Sequence, residues 1–275
     1  ETFLPVVIAF IFVLAILGIV AGVSNDATNF MSAAVGTKSA SYRSVTIIAS
    51  FGIIFGSLMS NGMMEIARNG VFSPQYFFAN EIIYIYLAVM IANLILLDVF
   101  NTLGLPTSTS VSLVFELLGA TVAIAMIKMH SGTMGVGLAE LINTDKALTM
   151  VVGIFLSVAI AFIFGIIVQY ITRLIFSFNF EKNLKWKIGI FSGIATTALI
   201  YFMFIKGMNG AAFMTDEIKA WIDDNTWQLL GASFIFFTIL MQILFFLKVN
   251  VLKLVVLIGT FALAMAFAGN DLVNF

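Results

Sequence analysis

The stretch SNDATNF, residues 24–30, follows a long apolar run, and a second stretch, GNDLVNF, residues 269–275, follows another. The two stretches share four residues in the same register: Asn25/Asn270, Asp26/Asp271, Asn29/Asn274 and Phe30/Phe275. Amides and carboxylates are costly in an apolar environment unless they have partners. Their repetition after two apolar runs therefore indicates that they serve a common purpose.

The chain around these stretches is strongly apolar. Of its 275 residues, 61% are hydrophobic and 10% are charged, whereas soluble domains carry about 25% charged residues. We predict an all-α, polytopic membrane protein, because helices satisfy their own backbone hydrogen bonds in lipid. The net charge of −1 gives no indication of nucleic-acid binding. The chain has no cysteine and one histidine, which excludes metal centres built on Cys or on paired His.

Apolar runs of about 20 residues are long enough to cross a bilayer as helices. The sequence predicts eight of them, at residues 3–23, 44–62, 81–100, 110–128, 148–172, 187–206, 228–247 and 251–268. A further segment, 215–227, has an apolar face, an acidic first turn and Thr215 at the N-cap position. These features predict an amphipathic helix at the membrane interface.

The orientation follows from the distribution of charge, because Lys and Arg are enriched in cytoplasmic loops. If the N-terminus is outside, eight basic residues lie inside: Lys38, Arg43, Arg173, Lys182, Lys185, Lys187, Lys248 and Lys253. Five lie outside: Arg68, Lys128, Lys146, Lys206 and Lys219. We therefore predict a multi-pass protein of the plasma or inner membrane whose N-terminus is outside.

This orientation presents the repeated stretch from opposite sides of the membrane, because the first span runs inward and the eighth runs outward. Such opposed copies are typical of inverted-repeat transporters, which have broken helices and half-helices at the site. We predict a first repeat at 1–128, connecting spans and loops at 129–250, including the external helix 215–227, and the start of a second repeat at 251–275. The second repeat would continue in a longer protein.

Three Asp and Asn pairs share the spacing D-x-x-N, which places both side chains on the same side of a helix. The pairs are Asp26–Asn29, Asp98–Asn101 and Asp271–Asn274. Hard cations prefer carboxylate and amide oxygens as ligands. The spacing therefore predicts a cation site, with sodium as the ion that fits, although helix capping and inter-helix hydrogen bonds are the structural alternative.

A second polar motif is LGLPTSTSVS, residues 103–112. Gly104 and Pro106 predict a break in the helical run. The hydroxyls of Ser108, Thr109 and Ser110 follow at the start of the next helix, where free N–H groups and the helix dipole favour an anion. Plain N-capping is the alternative interpretation.

Two further features are less specific. Gly22, Asn25 and Asp26 predict an interruption of the first span, followed by a short half-helix. Glu116 lies six residues beyond Ser110 in an apolar run. Its spacing leaves open whether it pairs across helices or transfers a proton.

These motifs resemble the signature of the inorganic phosphate transporter (PiT) family, G-x-N-D-x-x-N followed by V-G-[ST]-K. Residues 25–29 and 35–38 match it, and the second copy at 269–274 is more similar still. The family motif P-x-S-T-T-H is similar to residues 106–111, except that Val111 stands where the family has His. The resemblance implies inverted repeats, cation-coupled phosphate uptake and one central site shared by the repeats; some members of the family carry sulfate.

Together, the motifs and the resemblance predict a sodium-coupled inorganic phosphate transporter that works by alternating access, is not an enzyme and has no cofactor besides the co-transported sodium ion. The residues expected to bind phosphate are Asn25, Ser108, Thr109, Ser110 and Asn270. The residues expected to bind sodium are Asp26, Asn29, Asp98, Asn101, Asp271 and Asn274. A sulfate permease of the same fold, a proton-coupled phosphate carrier and, more distantly, a membrane enzyme acting on phosphate esters are the alternatives. A homodimer is left open.

Overall fold

The computed structural model describes residues 3–59, 76–130, 142, 144–176, 180–207 and 214–270. These residues are almost entirely helical, which confirms the all-α prediction. The helices are α1 (Phe3–Gly36), α2 (Tyr42–Met59), α3 (Ala79–Leu103), α4 (Thr109–His130), α5 (Thr144–Phe176), α6 (Phe180–Tyr201), α7 (Asp216–Asp224), α8 (Thr226–Phe246) and α9 (Val251–Asn270). A π-helical segment, Phe202–Gly207, follows α6 directly.

Seven of the described helices are long and apolar enough to cross a membrane, and each coincides with one of the predicted spans. The eighth predicted span corresponds to α2, which is shorter. Much of the apolar surface is exposed, above all along α5, where residues 155–171 are all exposed. An exposed apolar surface of this extent fits contact with lipid. The chain is therefore a multi-pass membrane protein.

The predicted interruption of the first span is wrong, because α1 runs unbroken through Gly22, Asn25 and Asp26 to Gly36. Its 34 residues correspond to a length of about 50 Å, well above the roughly 30 Å of a bilayer's hydrocarbon core. An asparagine disturbs a helix when its side chain competes for local backbone groups. The Asn25 side chain instead bonds to residues distant in sequence, so the helix continues.

The chain divides into two compact units. Unit 1 comprises Glu1–Ala27, Gly62–Ser157 and Asn270–Phe275. Its main feature is the antiparallel hairpin of α3 and α4. Ile85 and Val89 of α3 and Leu113 and Leu117 of α4 form its buried core. These positions repeat every four residues on each helix, so that one side of each helix is buried against the other.

An ion pair closes the open end of this hairpin. The Lys128 ammonium lies 2.7 Å from a Glu81 carboxylate oxygen and also donates to the Tyr76 carbonyl oxygen at 2.8 Å. The same Glu81 oxygen accepts from the backbone N–H of Phe78, the N-cap residue that precedes α3. The nitrogen of Lys128 also lies 5.2 Å from the ring centroid of Phe77. Lys128 is buried, so these contacts compensate its charge.

Unit 2 comprises Thr28–Asn61 and Val158–Gly269. In it, α2 and α9 approach so closely that only glycine fits at two positions of α2. A Cβ on Gly52 would lie 2.6 Å from the Phe261 carbonyl oxygen, and one on Gly56 would overlap the backbone of Met265. Glycines four residues apart are a common means of close packing between membrane helices.

The predicted amphipathic helix is α7, in unit 2. The Thr215 hydroxyl accepts from the Ile218 backbone N–H at 3.4 Å, which confirms the predicted N-cap. Trp221 is 57% exposed, and an exposed Trp on such a helix fits a position among lipid headgroups. Trp221 also lines a largely apolar cavity of about 330 Å³ with residues of α6 and α8.

Candidate functional site

The candidate site lies at the chain break between α3 and α4, which the sequence predicted correctly. The α3 helix ends at Leu103, and Gly104 adopts the left-handed conformation with φ 67°. The Gly104 N–H donates to the Asn101 carbonyl, and the Leu105 N–H donates to the Phe100 carbonyl at 2.9 Å. This pair of bonds is a Schellman motif, which requires a residue tolerant of positive φ. The chain then runs without helical structure until α4 begins at Thr109.

Asn25 of α1 holds this break in place. Its side-chain Nδ2 donates to the Leu105 carbonyl oxygen at 3.1 Å and to the Asn101 Oδ1 at 2.8 Å. Its Oδ1 accepts from the Thr107 backbone N–H at 2.9 Å. Both amide protons of Asn25 are thus used within unit 1. Asn25 therefore serves as a link between α1 and the segment that leads into α4.

Asn101 extends the same network. While its Oδ1 accepts from Asn25, its Nδ2 donates to the Ala21 carbonyl oxygen of α1 at 3.0 Å. Two asparagines that are 76 residues apart in sequence are therefore directly bonded. Sequence reasoning placed both residues in ligand sites and did not predict this pairing.

The hydroxyls at the start of α4 differ from one another in their contacts. The Ser108 hydroxyl accepts from the Val111 N–H at 3.4 Å, and the Ser108 carbonyl accepts from the Ser112 N–H. Ser108 is therefore the N-cap of α4. For this residue, the alternative interpretation of the motif as a helix cap is confirmed. Ser110 is half-buried.

Thr109 is different from its neighbours. It is only 1% exposed, and its Oγ1 has no hydrogen-bond partner among the residues that the structure describes. Buried hydroxyls nearly always have a partner. A buried hydroxyl without a described partner, at a helix N-terminus where the positive end of the helix dipole lies, is an arrangement that favours an anionic ligand.

In each of the two described D-x-x-N pairs, the Asp and the Asn differ in how far they are buried. On α1, Asp26 is buried and Asn29 is exposed, whereas on α3 Asp98 is exposed and Asn101 is half-buried. The spacing thus places the members of each pair on neighbouring positions of a helix but does not give them the same surroundings. Within the described ranges, no group of three or more His, Cys, Asp or Glu residues is arranged to hold a metal ion.

The second copy of the motif lies at the limit of what is described. The α9 helix ends at Asn270, whose side chain lies outside the described part of the structure, as do Asp271 and Asn274. The assignment of Asn270 to phosphate and of Asp271 and Asn274 to sodium stays a prediction.

Comparison with known proteins agrees with this architecture. A solved structure named "The sodium-dependent phosphate transporter" superposes with a TM-score of 0.66 at 16% sequence identity. The match covers 97% of this chain and 65% of the other, so the chain spans about two thirds of its length. At this identity the likeness shows a shared fold. The sequence has no significant match among the curated proteins with which we compared it.

The family comparison is more specific, because it covers almost the whole chain. The model of the phosphate transporter family matches residues 22–274, from just before the first motif to the last asparagine of the second. The chain therefore belongs to the phosphate transporter family.

Proposed function

We propose that the chain is part of a secondary transporter that moves inorganic phosphate across the membrane together with sodium by alternating access. Membership of the phosphate transporter family supports phosphate as the substrate. The name of the protein with the shared fold supports sodium as the coupled ion.

The observation that carries the proposal is the start of α4. Thr109 supplies a buried hydroxyl that no described residue satisfies, next to the N-terminal N–H groups of the helix. Hydrogen bonds to charged oxygens are stronger than those between neutral groups. Phosphate offers several such oxygens. We therefore assign Thr109 and Ser110 to phosphate, and Ser108 to the cap that presents them.

Asn25 has a different role in this proposal from the one its sequence position predicted. Its two amide protons already serve Asn101 and Leu105, so direct donation to phosphate would require these bonds to break. We propose that Asn25 positions the segment before α4 and that its contact with phosphate is secondary.

Sodium provides the positive charge that phosphate requires. The sequence contains no Lys or Arg between residues 21 and 36 or between residues 98 and 112. A phosphate anion bound by these segments would need a positive charge from another source, because an uncompensated charge is unfavourable in a membrane. We propose that Asp26, Asn29, Asp271 and Asn274 bind sodium, with Asp98 and Asn101 as further candidates. Cation and anion then stabilise each other, which couples their transport.

Thr109→Val tests the phosphate site, because it deletes one hydroxyl and keeps the shape of the side chain. We expect phosphate binding to purified full-length protein, at fixed sodium, to weaken by about 1.5–3 kcal/mol, or roughly 10- to 150-fold. The melting temperature should not fall, because the deleted hydroxyl has no partner among the described residues. Sulfate competition in the same assay reports whether the site prefers phosphate.

Two controls separate ligand binding from stability. Thr121→Val removes another buried α4 hydroxyl without a described partner, about 18 Å along the helix from Thr109, and should leave phosphate affinity unchanged. Ser108→Ala removes the cap and should cost about 0.5–2 kcal/mol of stability. Unchanged phosphate affinity in Thr109→Val would exclude this hydroxyl from the site.

We also propose the orientation and the repeats that the sequence predicted, with residues 1–128 as the first repeat and the N-terminus outside. The distribution of Lys and Arg supports this orientation. The chain lacks cysteine, so single cysteines can be placed at will. In intact cells, a membrane-impermeant maleimide should label Lys219→Cys and spare Asn183→Cys. The opposite labelling pattern would show that the orientation in the membrane is the reverse of the proposed one.

A further inference from the structure

One side of α4 carries polar residues that lead away from the proposed phosphate site. Thr109, Ser112 and Glu116 occupy positions i, i+3 and i+7 of the helix, which share one side of it. Thr109 and Ser112 are buried, and the Ser112 hydroxyl donates to the Thr109 carbonyl oxygen at 2.9 Å. Glu116 ends this polar row, about 10 Å along the helix axis from Thr109.

Glu116 is the unusual member of the row. Both of its carboxyl oxygens are buried, and neither has a hydrogen-bond partner among the residues that the structure describes. Lys128, the one Lys on α4, is already paired with Glu81. An ionised carboxylate that is buried without a cation in a membrane helix is strongly unfavourable. Glu116 therefore requires either a proton or another cation.

The elements packed against α4 do not supply a charge for Glu116. The titratable groups of α3 are Glu81, Tyr84, Tyr86 and Asp98, and the described one on the part of α5 in unit 1, which contributes Met150 to the same core, is Asp145. Within the described part of the chain, Glu116 forms no hydrogen bond or ion pair with any of them. Glu81 and Lys128 lie about 18 Å away along α4. Asp26, on α1, is another carboxylate of unit 1 that is buried.

We propose that Glu116 is a proton-binding site that controls phosphate affinity at the start of α4; this inference rests on the proposed function. A proton is the cation that fits, because it needs only one carboxyl oxygen. A hard metal cation needs several oxygen ligands, and within the described ranges no group of three or more His, Cys, Asp or Glu residues is arranged to hold one. In the step itself, a carboxylate oxygen takes one proton from water as phosphate binds and returns it as phosphate leaves. Glu116 itself forms no bond to phosphate in this step.

The charge of Glu116 acts on phosphate through space. Two unit charges about 10 Å apart in a partly buried site interact strongly enough to change an affinity about tenfold. Ionised Glu116 therefore repels the phosphate anion, and protonated Glu116 does not. Phosphate affinity is highest where Glu116 carries its proton and falls as the pH rises and that proton leaves.

Glu116→Gln tests the proposal, since glutamine has nearly the same shape as a protonated glutamate. Phosphate binding to the purified full-length protein is measured by calorimetry over a range of pH, at fixed sodium, in buffers of different ionisation enthalpy. In the pH range where Glu116 is partly protonated, we expect wild type to take up about half a proton more per phosphate than the variant, which is the maximum linked to a tenfold change in affinity. At high pH the variant should bind phosphate about tenfold more tightly than wild type. Because phosphate itself titrates identically in both samples, its own protonation cancels from the comparison.

Glu217→Gln is the matched control, because it makes the same change at an exposed position of α7; it should retain the wild-type proton count. A second readout does not depend on the variant's folding. The infrared difference spectrum of wild type should gain the carbonyl band of a protonated carboxyl group when phosphate binds.

The outcomes separate this inference from the proposed function. If wild type and Glu116→Gln bind phosphate with the same pH profile and the same proton count, the role of Glu116 is refuted while the phosphate site stands. The absence of a phosphate-induced carboxyl band in wild type would also overturn it. If neither protein binds phosphate at any pH, both this inference and the proposed function fail.

Discussion

Replacing Asp26 by Asn is expected to abolish sodium-stimulated phosphate uptake while leaving the protein folded. Asp26 is 5% exposed on a continuous helix, and the change keeps the size of the side chain and removes one negative charge. A cation that loses its carboxylate in a membrane loses most of its stabilisation. We expect sodium-dependent uptake by cells expressing the full-length protein to fall at least about 100-fold, because coupling requires the bound ion.

Asp216→Asn is the control for this experiment. Asp216 lies on the exposed helix α7, where a carboxylate oxygen is 3.7 Å from the Lys219 nitrogen. Exposed pairs of this kind contribute little, so uptake should stay at the wild-type level. Asp271→Asn applies the same test to the second copy of the motif. If sodium dependence persisted unchanged in Asp26→Asn, this residue would have no part in the cation site.

Asn25→Ala is expected to destabilise the protein and to weaken phosphate binding together. It deletes three hydrogen bonds, to Asn101, Leu105 and Thr107. Each contributes about 0.5–1.5 kcal/mol, so the summed loss is roughly 3 kcal/mol. Because these bonds hold the segment that leads into α4, the affinity for phosphate should fall about tenfold or more.

Thermal unfolding in detergent and equilibrium phosphate binding, measured on the same preparation, check this result. Asn93→Ala is the matched control, since Asn93 is also buried in unit 1 but its Oδ1 has no described partner. It should cost less stability and leave phosphate binding intact. Loss of stability in Asn25→Ala with unchanged phosphate affinity would show that the link to α1 does not position the site.

Of the two helix breaks expected from the sequence, the one after α3 is present and the one in α1 is not. Gly104 and Pro106 act locally: the glycine accepts the positive φ of the Schellman motif, and the proline prevents the chain from continuing as helix. The break after α3 was therefore predictable. The continuity of α1 through Asn25 was not predictable, because the Asn25 side chain finds partners 76 to 82 residues away. Tertiary contacts of this kind leave no local pattern in the sequence.

The candidate site was predictable to a similar extent. The row of hydroxyls marks the start of a helix, but the sequence does not say which hydroxyl caps it and which is left for a ligand. The structure makes Ser108 the cap and leaves the buried Thr109 hydroxyl without a described partner. Likewise, the D-x-x-N spacing fixes positions around a helix, whereas burial of Asp26 and exposure of Asn29 depend on the surrounding helices.

The most direct test of sodium-coupled phosphate transport uses the full-length wild-type protein in proteoliposomes. Radiolabelled phosphate is supplied outside at the same concentration as inside, and an inward gradient of sodium or of choline is imposed. We expect phosphate to accumulate above its outside concentration with sodium and not to accumulate with choline. Equal phosphate levels inside and outside under both gradients would contradict this expectation.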